Sequence, residues 1–129
     1  MKENKLKILI KKPVSIVFNF TIDPSNTHRW IESITEETIQ GKEIKLGTRY
    51  VKKDTNGNLN LYDATKFEEN KVFELQSVPP FYTVRYTYTL VSGDKTELEY
   101  YEWTDEDKLS QPFKQSYLER LKNIIESEY

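Results

Sequence analysis

With 129 residues, 36 % of them hydrophobic and 31 % charged, the chain carries enough apolar material for one core, removing about two-thirds of its unfolded surface from water. Its formal net charge is −2 with both signs interspersed, which leaves no basic stripe for a phosphate backbone and excludes nucleic acid as an expected partner. Zero cysteines exclude disulfides and thiolate metal sites and suit a reducing, cytoplasmic setting.

The segment Met1 to Lys7 is polar and leads straight into a strand, with no apolar leader core. No apolar run nears the ~20 residues that cross a bilayer, so no integral membrane association is expected. Leu6, Ile8 and Ile10 alternate with Lys5, Lys7 and Lys11, the pattern of a strand with one wet face. Pro13 then supplies the fixed φ of a helix start, and Val14, Val17, Phe18 and Ile22 line one side of the turns that follow. Asp23-Pro24 repeats the signal and predicts a second, short helix to about Trp30.

Strands are expected near residues 33–40 and 47–54. Asn56-Gly57 is a two-residue hairpin signal that calls for positive φ at both positions, with a return strand over 59–67. Which face of this hairpin is inner stays open: Tyr50 with Leu59, Leu61 and Phe67 competes with Val51, Tyr62 and Ala64. A strand over 71–78 stops at Pro79-Pro80, which cannot donate to a ladder. In the last hairpin Val84, Tyr86, Tyr88 and Leu90 face Thr96, Leu98, Tyr100 and Glu102. A three-residue loop Ser92-Gly93-Asp94 sets Tyr88 opposite Leu98 and Tyr86 opposite Tyr100, keeping the inner set together.

Leu109, Phe113, Tyr117, Leu121 and Ile124 then recur at spacings of three and four, one face of a closing helix. Pro112 predicts a start near Ser110 or a kink there, and Asp105, Glu106 and Asp107 suit its positive end. A sheet with a single long helix to cover it is an α+β sandwich.

The strand ending in Lys12-Pro13-Val14, Phe18, Asp23-Pro24, Trp30, Gly47-Thr48-Arg49-Tyr50, Gly93 with Thr96, and the closing Leu121-Lys122 with Ile125-Glu126 resemble the START-like (Bet v 1-like) superfamily. The nearest branch is the polyketide cyclase/dehydrase-like and coenzyme Q-binding group. The resemblance runs from about Leu6 to Glu126 and implies one START-like domain over residues 1–129. It implies a helix-grip fold: a bent antiparallel sheet wrapped around a long C-terminal helix, with two short helices after the first strand. The superfamily includes lipid carriers, metabolite binders, cyclases and chaperone cofactors, so it implies an apolar cavity without naming a reaction.

His28, the only histidine, lacks the partners of a metal site or a triad and reads as a surface or lid residue. Asp54 to Asn58 resembles a calcium loop, but Leu59 and Thr65 stand where Gly and Glu are needed, so it is a turn. Lys52-Lys53 and Glu36-Glu37 read as solvated charge pairs. No catalytic residues, metal or cofactor are assigned.

The inward set Tyr86, Tyr88, Tyr100 and Glu102 is the constellation with functional content. Phenols bring apolar bodies with hydroxyls that need partners, and a buried carboxylate is costly without them. Phe73 from the neighbouring strand, Phe113 and Tyr117 from the last helix, and Trp30 at the mouth complete the expected ligand-binding lining. The alternative for the same residues is a filled core, with Trp30 as a packing staple and Glu102 at the wet rim. Three functions follow. The first is binding of a small hydrophobic molecule or lipid by a monomer or homodimer. The second is a cyclase/dehydratase-type enzyme using Glu102 and the tyrosines. The third is an interaction module using the outward Tyr101 and Trp103.

Overall fold

The structure is a computed structural model that describes residues 2–129. Seven strands form one antiparallel sheet: β1 (Lys2–Ile10), β2 (Ile34–Gln40), β3 (Arg49–Asp54), β4 (Leu59–Glu68), β5 (Val72–Ser77), β6 (Tyr82–Ser92) and β7 (Lys95–Thr104). Their order across the sheet is β1-β7-β6-β5-β4-β3-β2. Helix α1 (Val14–Ile22) and a 3₁₀ helix (Pro24–Arg29) follow β1, and α2 (Gln115–Glu128) ends the chain. This is the α+β, helix-grip arrangement of a bent sheet and a C-terminal helix. No helix among the described residues is long and apolar enough to cross a membrane.

Alternation builds the sheet. In β1 Ile8 and Ile10 are buried while Lys5 and Lys7 face water, and along β7 Thr96, Leu98, Tyr100 and Glu102 all point inward. Register shifts next to Thr35, Thr65 and Val91 mark bulges, which add local twist and bend the sheet around its contents. Asp23 caps the 3₁₀ helix through its side chain, which accepts from the Ser25 amide at 2.9 Å, with Pro24 in the first position.

Two turns differ from expectation. Tyr86 pairs with Tyr100 and Tyr88 with Leu98, as the parity argument requires, but the turn itself is Gly93-Asp94 between paired Ser92 and Lys95. The bulge at Val91 supplies the extra residue that keeps the faces in phase. At Asn56-Gly57 only Gly57 has positive φ, at 83°. Asp54 Oδ1 instead accepts from the amides of Asn56 and Asn58, each at 2.9 Å, so a longer Asp-anchored turn replaces the two-residue one.

That turn length decides the open face. Tyr50 pairs with Tyr62, so the inner set is Tyr50, Tyr62 and Ala64, drawn from both candidate groupings. Phe67 joins them because the bulge at Thr65 restores its phase, pairing it with Phe73. Leu59 is left 65 % exposed.

The last helix begins later than its spacing suggested. Lys114 is extended at the cap and Gln115 is the first helical residue. Pro112 holds the residue before it out of the α region, so residues 105–114 remain irregular and the acidic run at 105–107 lies far from the helix start. The core-facing side is therefore Leu118, Leu121 and Ile125, each 0 % exposed, rather than Phe113, Tyr117, Leu121 and Ile124. Tyr117 and Ile124 are half-buried flanks of that face, and Phe113 precedes the helix. Helix α2 packs on β1 and touches α1, which in turn packs on β6 and β7.

Candidate functional site

The interior between the sheet and the helices is mostly filled by rings. Tyr86 meets Tyr100 at 5.2 Å between centroids, Phe73 at 5.7 Å and Trp30 at 6.2 Å. Tyr88 meets Phe18 at 5.1 Å, and its hydroxyl shares a 2.5 Å hydrogen bond with the Thr21 hydroxyl. Phe113 stacks on Tyr100 at 3.8 Å and also touches Trp30 and Tyr117. Edge-on packing of this kind is favourable for buried rings and leaves little free space.

The free space lies beyond this cluster, at the end of the sheet. A half-open cavity of about 300 Å³ is lined by Lys52 of β3, Tyr62 of β4, Tyr82 of β6, and Tyr100 and Glu102 of β7. Ile31, Ser33, Ile34, Asp54 and residues between Glu106 and Phe113 also line it. Of the eight residues the sequence picked out, Tyr100, Glu102 and Phe113 line the cavity. Trp30, Phe73, Tyr86 and Tyr88 sit in the aromatic cluster behind it, and Tyr117 is half-buried beside Phe113.

Glu102 is not at a wet rim. It is 2 % exposed, and its carboxylate accepts three hydrogen bonds. The donors are the Tyr82 hydroxyl at 2.6 Å, the Phe113 amide at 2.6 Å and the Asn4 side chain at 2.8 Å. Asn4 also donates to the Phe113 carbonyl at 3.1 Å, so one carboxylate and one amide tie β1, β6 and β7 to the irregular segment before α2. Burial pushes the Tyr82 phenol up, and the Glu102 charge adds to the shift; burial likewise raises Tyr100. Both phenols are thereby held in the neutral form. Among the described residues no three acidic or imidazole side chains converge as a metal site.

Two groups that sequence reasoning placed in solvent belong to the interior. Glu37 pairs across the sheet with Lys52, and their side chains are 4 % and 12 % exposed. Glu37 Oε1 accepts from the Thr27 hydroxyl at 2.5 Å, while Oε2 has no hydrogen-bond partner. Lys52 Nζ lies 3.8 Å from that Oε2 and 4.4 Å from the centroid of the Tyr62 ring. The signal was present in the alternation, since Lys52 follows Tyr50 by two and must share its inward face. The general rule that charges face water masked it.

Burial pushes the Glu37 carboxyl above the ordinary range, opposed by Lys52 and by the Thr27 bond. The folded chain thus holds this proton to a higher pH than the unfolded chain does. Stability from this group is highest below the unfolded value and falls as pH rises through the raised folded one. Glu37→Gln removes the dependence, so its melting temperature relative to the native chain is expected to rise from acid to neutral pH. A difference flat across that range in pH-dependent thermal melts would show a hydrated carboxylate.

On the outer face, Tyr101 and Trp103 are half-buried by the chain itself. Lys5 lies over Tyr101 at 4.7 Å, Arg85 over Trp103 at 5.0 Å, and the Tyr101 hydroxyl donates to Glu3 at 2.5 Å. His28 is exposed.

No protein-family model matches the chain, and no curated protein matches it in sequence. Solved structures do match in fold. A protein of Nitrosospira multiformis superposes with a TM-score of 0.75 at 16 % identity, over 98 % of both chains. The Aha1 dimer protein of Colwellia psychrerythraea gives 0.72 at 16 %, over 98 % of this chain and 97 % of that one. The di-domain ARO/CYC protein BexL of the BE-7585A biosynthetic pathway gives 0.64 at 12 %, over 81 % of this chain and 36 % of that chain. At such identities the likeness shows the fold alone, and that fold agrees with the START-like resemblance read from the sequence.

Proposed function

We propose that this chain binds a small hydrophobic molecule in the cavity at the end of the sheet, acting as one START-like unit. The observation that carries the reading is the cavity itself. About 300 Å³ is the lower end of the range for small-molecule sites, and the rings of Tyr62, Tyr82, Tyr100 and Phe113 with Ile31 and Ile34 give a largely polar wall its apolar part. The floor is preformed, because Tyr100 and Phe113 are already stacked and Glu102 already holds the Phe113 backbone. A binder gains from such order, since little is left to be immobilised on association.

The cyclase-like alternative is less well supported. A general base has to reach its substrate, whereas both Glu102 oxygens already accept donors of the protein and the phenols beside it are held neutral. The interaction-module alternative is weakened by the cations that already cover Tyr101 and Trp103.

Native mass spectrometry of the freshly purified chain tests the proposal, alongside titration with the neutral dye N-phenyl-1-naphthylamine. A small-molecule adduct on a monomer or homodimer is expected, with dye uptake saturating at one per chain. Ser33→Trp, which fills the cavity, should abolish that uptake. Absence of both adduct and saturable dye binding, or dye binding unchanged in Ser33→Trp, would overturn the reading.

A further inference from the structure

The hydrogen-bonding capacity of the cavity wall is unbalanced. On the acceptor side, Glu102 already takes three donors, and Asp54 Oδ1 takes two backbone amides of its own turn. The half-buried cation on the wall, Lys52, has donors to spare. Its ammonium carries three N–H donors. Yet it makes no hydrogen bond among the described residues, and its nearest carboxylate oxygen stands 3.8 Å away.

Lys52 is held in place rather than left mobile. Its side chain is 12 % exposed, its ammonium lies over the Tyr62 ring, and Glu37 stands behind it in register on β2. The cavity is half-open, so the ammonium still meets solvent, and its unused donors are available to an acceptor that enters. Water can supply neutral acceptors, but an anionic oxygen forms the stronger, charge-assisted bond. The surrounding wall of Tyr62, Ile31 and Ile34 suits an apolar body attached to that oxygen. Glu106 and Lys108 at the exposed border offset one another and are hydrated, which leaves Lys52 to face the carboxylates of Asp54 and Glu102 on the same wall.

We propose that the molecule held in this cavity carries a carboxylate that docks on the Lys52 ammonium, making the site one for small apolar acids. This rests on the cavity being the binding site. Glu37 then acts as the resident counter-charge, set too far back to hydrogen-bond Lys52 and competing weakly with the ligand. The arrangement separates recognition into two parts: rings and aliphatic side chains take the apolar body, and Lys52 selects the acid.

The test compares 2-naphthoate with its uncharged isostere 2-acetylnaphthalene, by NMR titration of the full chain. The native chain should bind 2-naphthoate at least about tenfold more tightly, with shifts at cavity residues for both probes. Lys52→Met should lose that preference while its affinity for 2-acetylnaphthalene stays within about twofold. Lys52→Arg, which keeps the charge, should retain the preference. Glu37→Gln, which removes the competing carboxylate, should tighten 2-naphthoate several-fold. The double variant Glu37→Gln/Lys52→Met removes both charges and guards against misfolding of the single one; it too should show no preference. Equal binding of both probes by the native chain, or a preference that survives Lys52→Met or the double variant, overturns the assignment of the acid and leaves the cavity reading standing. Failure of both probes to shift any cavity residue overturns the cavity reading itself, and this proposal with it.

Discussion

Leu121→Ala is expected to lower the unfolding free energy by about 2–5 kcal/mol, the range for truncating a buried leucine when the site cannot collapse fully. Leu121 lies between Leu118 and Ile125 on the one face of α2 that is wholly buried, against β1 and α1. A helix of 14 residues has marginal stability alone, so this face is what holds it to the sheet. Ile124→Ala, on the half-buried flank, should cost less, and Asn123→Ala, on the exposed side, should stay within about 0.5 kcal/mol. Urea denaturation of the three variants checks the order. A cost for Leu121→Ala no larger than that for Asn123→Ala would mean that the helix does not pack by this face.

Glu102→Ala is the second large effect. It strips the acceptor from the Tyr82 hydroxyl, the Phe113 amide and the Asn4 side chain together. Hydrogen bonds to charged groups are worth about 1.5–3 kcal/mol each and do not add, so a loss of about 3–5 kcal/mol is expected. Glu102→Gln keeps one acceptor oxygen and the shape, and should cost roughly half as much. The specific readout is hydrogen exchange at the Phe113 amide, which should accelerate at least about tenfold in Glu102→Ala as residues 105–113 come loose from β7. Exchange at Phe113 that is unchanged while global stability falls would show that Glu102 supports the sheet but does not hold that segment.

The two predictions draw on different depths of information. That a helix closes the chain, and that its buried side recurs every three to four residues, is local, because covalent geometry alone places residues i, i+3 and i+4 together. Its phase was missed by one residue at each of two positions. Leu109 and Phe113 share the apparent period but lie outside the helix, where Pro112 and an extended Lys114 break it. Glu102 was legible as inward from strict alternation past Leu98 and Tyr100. Its partners were not, since Asn4 lies 98 residues away and Phe113 in an irregular segment.

Alternation, turn residues and the parity of the last hairpin by themselves determined the seven strands, their antiparallel pairing at Tyr86 and Tyr100, and the α+β class. These depend only on side-chain period and on the short range of turn geometry. The tertiary structure alone decided three things: the inner face of the β3–β4 hairpin, the filling of the interior by Phe73, Tyr86 and Tyr88, and the displacement of the cavity toward Tyr62, Tyr82 and Glu102. It also brought Lys52 and Glu37 inward, against the preference of charges for water. The reason is common to all of these. Period states which way a side chain points, whereas how much space remains there, and which group from a distant strand shares it, depends on packing across the whole sheet.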